Sequence, residues 1–210
     1  MLDLLNRYIT VNVIPLAESF DNGRTISTSD SFAVAESGLL GEIFKKTDEN
    51  TVHTLTRSII KISGHCGNLR NLFLVNYGMV GMLLNSLKDD QETLARAFDS
   101  LKLGRSIGAL AITEESGGSN SRAFITRVSR STAGMRLNGK KTWITLAGAA
   151  DFLIVLAWID DFLRFVYVPR NSQGVSVVGI QNPLGSRGSA LARVNFDNVL
   201  IEPDYSGQGN

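Results

Sequence analysis

The feature that most constrains the fold is a change of sequence pattern near residue 106. Before it, apolar residues recur every three or four positions, as along the buried face of a helix. After it, short apolar and β-branched runs alternate with Gly, Asn, Asp and Pro turns. We therefore predict an α+β protein, with an all-α helical domain over residues 1–106 and an antiparallel β-barrel or sandwich domain over residues 107–210.

Individual residues mark the expected ends of these elements. Ser27 or Thr28 is expected to cap a helix, and Gly38 to end it. Asp89 or Asp90 is expected to cap the last helix. In the second half, the Asn-Gly pair at 138–139 is a strong signal for a tight hairpin.

Composition and charge exclude several classes of protein. Lys and Arg number 21 against 20 Asp and Glu, so we expect no nucleic-acid interface. A single cysteine, Cys66, argues against a disulfide framework and fits a reducing compartment. The N-terminus lacks signal-peptide features, and the apolar stretch 72–84 is shorter than a membrane span of about 20 residues. We predict a cytoplasmic protein.

Two motif-like features do not support the chemistry that they suggest, and one catalytic motif is missing. Residues 134–141, GMRLNGKK, nearly match a phosphate-binding loop, but Lys141 stands where Ser or Thr is required and a strand-like run follows. His53, His65 and Cys66 are too few for a structural zinc site, so we expect no metal; the GHCGN stretch indicates a helix break. The G-x-S-x-G elbow of a hydrolase is missing from the sequence.

Two stretches could form a ligand site. The turn 117–120, GGSN, could point its backbone amides together as an anion-binding nest, with the Ser119 hydroxyl as a further donor. Trp143 and Thr145 lie two apart on a predicted strand, so their side chains are expected on one face, where they would suit a ring with polar edges. Equally, Trp143 could fill the core, Thr145 could be an ordinary strand residue, and the glycines could simply form a turn.

These stretches carry a resemblance to a known family. LAITEESGGSN, LNGKKTWITLAGAADFLIVLA and NPLGSRGSALARVNFDNVLIEP resemble, in order, three sequence blocks of the acyl-CoA dehydrogenases. The resemblance covers nearly the whole chain and implies the family's N-terminal helical and middle β domains. The family's third domain, a C-terminal helical bundle, is expected to be absent from this chain.

The resemblance implies FAD as the cofactor, with its isoalloxazine ring against the middle domain. Ile112 and Thr113 would touch the pyrimidine edge, Trp143 would back the ring, and Thr145 would bond near flavin N5. Ser119 would approach both the pyrophosphate and the acyl thioester substrate. The implied cofactor-binding residues are Leu110, Ala111, Ile112, Thr113, Gly118, Ser119, Trp143, Ile144 and Thr145.

Departures from the family pattern limit what is implied about catalysis. Asn120 replaces an aspartate and Leu146 an asparagine. The catalytic base of the family lies on the C-terminal bundle, and Glu114 matches a position whose family role is structural. We therefore assign no catalytic residue to this chain.

Our leading hypothesis is the front half of a split FAD-dependent dehydrogenase. It would desaturate an acyl-CoA or acyl-carrier-protein thioester at the α,β-carbons, with hydride transfer to flavin N5. A second chain with the C-terminal helical domain would supply the base and complete the FAD site, in a homo- or hetero-oligomer. The alternatives are a non-catalytic binding or scaffolding subunit of the same fold, or a fragment of a longer enzyme.

Overall fold

The computed structural model describes residues 2–45, 49–132 and 134–201. The α-helices are α1 Leu2–Tyr8, α2 Ile14–Asp21, α3 Thr28–Glu36, α4 Leu39–Ile43, α5 Glu49–Ser63, α6 Gly67–Asn71, α7 Met82–Leu87 and α8 Glu92–Lys102. π-Helical segments, Ile9–Val13 and Leu72–Gly81, join α1 to α2 and α6 to α7. The strands are β1 Gly108–Ala111, β2 Arg127–Ser131, β3 Gly134–Ile144, β4 Phe152–Ile159, β5 Phe162–Pro169, β6 Val175–Gly179 and β7 Ala192–Ile201.

Local chemistry explains both ends of α3 and the start of α6. Ser27 and Asp30 form a capping box at the start of α3, and Gly38, with a φ of 77°, follows its end. The predicted break between α5 and α6 is present, and the Cys66 thiol caps α6 by accepting from Leu69 N. The predicted cap of α8 at Asp89 or Asp90 is wrong. Residues 88–90 form a 3₁₀ turn instead, and Gln91 is the N-cap.

The strands form one sheet in the order β1-β4-β2-β3-β7-β6, with β5 also paired to β4. The α+β fold class is confirmed, with helices first and strands second. The sheet is mixed rather than purely antiparallel, because β1 and β2 both run parallel to β4. It is also open, since no pairing joins β6 back to β1 or β5 among the residues described.

The predicted hairpin at Asn138–Gly139 is wrong. Both residues lie inside β3, whose turn from β2 falls instead before Gly134, which pairs with Ser131. The register of β3 against β7 shifts between Leu137 and Gly139, where Asn138 faces two residues of β7, Asp197 and Asn198, so β7 carries a bulge opposite the Asn-Gly pair. Gly139 has a φ of 150° and lies against Thr126, which explains the glycine without a turn.

Helices and sheet share one core. Buried side chains from both halves form a single cluster, and Asn76 on the second π-helical segment accepts the Gly108 N–H of β1 at 2.8 Å. The structure changes from helix to strand between Lys102 and Gly108, but the division into two domains stays a prediction. Within the described ranges, no helix has the length and apolar character needed to cross a membrane.

Candidate functional site

A bulge near the end of β3 determines where Trp143 points. Between Lys141 and Ile144, β3 has one residue more than its partner β7, so the bulge lies at Thr142–Trp143. Trp143 has a φ of 57°, a left-handed conformation that costs a side-chain-bearing residue about 1–3 kcal/mol. Its side chain is 56% exposed. This excludes the interpretation that Trp143 fills the core.

The same bulge interrupts the alternation of side chains along the strand. β3 ends at Ile144, which is buried, and Thr145 lies half-buried in the turn that follows. The expectation that Trp143 and Thr145 face one way rested on uninterrupted alternation, so it stays a prediction.

Thr113 brings the two sequence stretches together. Its carbonyl accepts from the Thr142 N–H at 2.9 Å, which places the end of the β1 segment beside the bulge. A Cβ added at Gly118 would lie 3.1 Å from the Thr113 hydroxyl, so the glycine turn packs on the same residue. Ser119 is exposed beside Gly118, and its predicted approach to a shared ligand stays a prediction.

The remaining predicted residues of the first stretch, Leu110, Ala111 and Ile112, directly precede Thr113. Leu110 and Ile112 are half-buried, and Ala111 between them is fully buried. Side chains therefore alternate in exposure from the end of β1 into the following turn. Ala111 and Ile144 are buried and therefore offer no exposed side chain to a ligand.

The glycine turn is tighter than the predicted nest. Glu114 and Gly117 exchange two backbone hydrogen bonds, at 3.2 and 2.9 Å, around a turn in which Gly117 has a φ of 115°. The Gly117 N–H is one of these donors, so it is not available to an anion. Any nest is restricted to the residues from Gly118 to Asn120.

Sequence reasoning missed a buried ion pair beneath this site. Lys141 Nζ lies 2.9 Å from Glu114 Oε1 and donates to the Ile112 carbonyl at 2.9 Å. The Glu114 carboxylate also accepts from the backbone amides of Ile125 and Thr126, at 2.8 and 3.1 Å. Both charged side chains are almost completely buried. No local pattern links residues so far apart in the sequence, although the resemblance did assign Glu114 a structural role.

Both members of the pair have a lowered pKa. Burial alone would raise the pKa of Glu114, but the Ile125 and Thr126 amides and the Lys141 ammonium together hold it below its usual range. Burial lowers the pKa of Lys141, and the hydrogen bond and charge of Glu114 offset part of that effect. Glu114 is therefore an ionised structural acceptor, with both oxygens occupied.

We expect the free energy of unfolding to fall as the pH drops below about 4.5, the ordinary value for Glu114. In that window the unfolded chain binds a proton at this carboxyl while the folded chain stays ionised, until the pH reaches the lowered folded pKa. The Glu114→Gln variant lacks this contribution. Urea unfolding of both proteins at about pH 7 and about pH 4 should show their stability difference shrinking in acid. A constant difference would contradict the lowered pKa.

A cavity of about 430 Å³ opens beside the bulge, on β3, β6 and β7. Its lining residues include Thr142, Ser176, Lys140, Arg193 and the carboxylate-bearing Glu115. The cavity beside Thr142 therefore combines hydroxyl groups with the cations of Lys140 and Arg193, which outnumber the Glu115 carboxylate, and a small excess of positive charge favours a ligand that carries negative charge.

Known proteins resemble this chain in sequence. Residues 109–199 match the family model described as acyl-CoA dehydrogenase, middle domain. The chain is 25% identical over 206 residues to benzylmalonyl-CoA dehydrogenase of Aromatoleum aromaticum, covering 96% of this chain and 54% of that protein. The chain thus spans about half the length of this curated relative.

Solved structures share the fold. A glutaryl-CoA dehydrogenase from Mycobacterium smegmatis superposes with a TM-score of 0.85 at 21% identity, covering 99% of this chain and 54% of that one. A second M. smegmatis structure, a glutaryl-CoA dehydrogenase in complex with FADH2, gives a TM-score of 0.79 at 23% identity, covering 97% and 53%. Residues 109–199 therefore match the middle domain of the acyl-CoA dehydrogenase family, and the chain resembles members of that family over almost its entire length.

Proposed function

We propose that this chain is the front half of an FAD-dependent acyl-thioester dehydrogenase and contributes one wall of the flavin site. The observation that carries the proposal is the exposed Trp143 indole, held on a strained bulge next to Thr113. Backbone strain of this kind persists where the surrounding structure enforces it, and it is concentrated at ligand sites. The similar protein solved with FADH2 supports the choice of ligand.

The residues present fit a flavin. The exposed indole offers a flat apolar face for a ring, and the neighbouring turns offer hydroxyls and backbone groups for its polar edge. Ile112 and Thr113 would hold the pyrimidine edge, Trp143 would back the ring, and Thr145 would donate near N5. Bound FAD would supply the hydride acceptor for desaturation of an acyl thioester.

The base that removes the α-proton is proposed to come from a separate chain, which would also complete the FAD site. Glu114 does not fit this role, because it is 3% exposed and its carboxylate already accepts from two backbone amides and Lys141. A base must reach the proton that it removes. On this proposal Ser119 would bind the acyl thioester, either acyl-CoA or acyl-carrier protein, and the working unit would be a homo- or hetero-oligomer.

Flavin binding tests the proposal directly. We expect the purified chain, alone or with the product of a neighbouring reading frame, to quench the fluorescence of added FAD. Trp143→Ala should weaken FAD binding about tenfold, since aromatic contacts contribute about 0.5–1.5 kcal/mol beyond their buried area. Phe162→Ala is the matched control, because this aromatic side chain is also exposed, at 63%, but lies on β5.

The outcomes separate the two main hypotheses. Bleaching of the bound FAD by a saturated acyl thioester only when both chains are present supports a split dehydrogenase. A colourless chain that still binds the thioester supports the non-catalytic binding or scaffolding subunit. Equal FAD affinity of the Trp143→Ala and unchanged chains would remove the indole from the site.

A further inference from the structure

Four polar side chains join the helical half to the loop before β7. We call Asn68, Asn71, Ser186 and Ser189 the asparagine–serine cluster. Asn71 Nδ2 donates to the hydroxyls of Ser189 at 2.7 Å and Ser186 at 3.3 Å. Ser189 in turn donates to Asn68 Oδ1 at 3.1 Å. Three of the four residues are buried, and Ser189 is completely inaccessible.

The backbone of the loop is fixed at the same place. The Gly188 N–H donates to Asn68 Oδ1 at 3.0 Å, and its carbonyl accepts from Ile26 N at 2.8 Å. A Cβ added at Gly188 would collide with the Phe20 ring and lie 2.7 Å from the Arg24 carbonyl. The loop therefore has little freedom to shift relative to the helices.

From this loop, two hydrogen bonds reach the turn that contains Thr145. The Leu146 N–H donates to the Ser189 carbonyl and the Gly148 N–H donates to the Ala190 carbonyl, both at 2.9 Å. Leu146 and Ala190 have φ values of 69° and 49°, so each of the two hydrogen bonds involves one residue in a left-handed conformation that the chain would otherwise avoid. The turn keeps its shape because the loop holds it.

We propose that the asparagine–serine cluster is a set of positioning residues, which sets the orientation of Thr145 in the ligand site from the helical half of the molecule. This inference rests on the proposed function, since it assigns the cluster a role in flavin binding. The cluster touches no ligand itself. It acts through the Ser189 carbonyl on the Leu146 amide, one residue from Thr145.

Removing one hydroxyl tests the inference. In Ser189→Ala, Asn71 and Asn68 lose their shared partner, so the loop and turn should loosen. We expect the amides of Leu146 and Gly148 to exchange hydrogen at least about tenfold faster under native conditions. The dissociation constant for FAD should rise about fivefold, and the flavin absorption bands should shift as the donor near N5 moves.

Ser58→Ala is the matched control. Ser58 is also fully buried, and its hydroxyl donates to the Thr54 carbonyl at 2.9 Å within α5, away from the turn. The same substitution there removes a buried hydroxyl with little expected change in overall stability, since alanine favours the helix, and should leave the Leu146 and Gly148 amides and the flavin spectrum unchanged. Asn71→Ala, on the helical side of the cluster, should reproduce the effects of Ser189→Ala and provides a second variant if the first fails to fold.

The results distinguish this inference from the proposed function. If the unchanged chain and its partner bind no FAD, the proposed function fails, and the exchange measurement still decides whether the cluster holds the turn. If FAD binds but Ser189→Ala and Ser58→Ala exchange equally at Leu146 and Gly148, the cluster contributes only general stability. The positioning role is then overturned.

Discussion

Lys141→Met is expected to lower the free energy of unfolding by about 3–5 kcal/mol, because it leaves a buried carboxylate without its partner charge. That is a large part of the total stability of about 5–15 kcal/mol that folded domains have. Methionine fills a similar volume, so loss of the charge is the main change. The Ile112 carbonyl also loses its donor, which should loosen the strand end beside Thr113.

Lys140→Met is the control for this prediction. The neighbouring lysine lies exposed on the opposite face of β3, where the same change should alter stability by at most about 0.5 kcal/mol. The double variant Lys141→Met, Glu114→Gln should be more stable than Lys141→Met alone, since the unpaired charge is gone. Urea unfolding of the four proteins measures each step. A double variant no more stable than Lys141→Met would show that the carboxylate charge is not the cause.

The sequence predicted the parts of the fold that local patterns determine. The order of helices before strands, the helix cap at Ser27 or Thr28 and the helix break in the GHCGN stretch all follow from nearby residues, and all are present, with Ser27 as the cap. The parallel pairing of β1 and β2 with β4 depends on contacts between distant segments. Alternating strands and turns do not specify those contacts, so a purely antiparallel sheet was the natural expectation.

The candidate site was predicted by resemblance more than by pattern. Both stretches meet at Thr113, but the bulge that exposes Trp143 has no sequence signal, since bulges at such positions favour glycine rather than tryptophan. The Glu114–Lys141 pair was missed for another reason. Charged residues are seldom fully buried, and a single sequence gives no sign of which two will meet.

The second large effect on stability is expected at Gly139, in the Asn-Gly pair that was wrongly predicted to form a hairpin. Gly139→Ala is expected to lower the free energy of unfolding by about 3 kcal/mol or more. The φ of 150° is one that side-chain-bearing residues rarely adopt, and the new methyl group would collide with the Thr126 hydroxyl and lie 2.7 Å from the Thr126 Cα. Backbone contacts of this kind are not relieved by a change of rotamer.

The collision with Thr126 should also disturb the Glu114–Lys141 ion pair, because the Thr126 amide is one of the donors to Glu114. Gly117→Ala is the matched control: its φ of 115° is similarly unfavourable, but an added Cβ there meets no atom within 4 Å. It should cost only about 1 kcal/mol, from backbone strain. Urea unfolding should therefore separate the two alanine variants by about 2 kcal/mol, and equal losses would mean that contact with Thr126 does not require glycine at position 139.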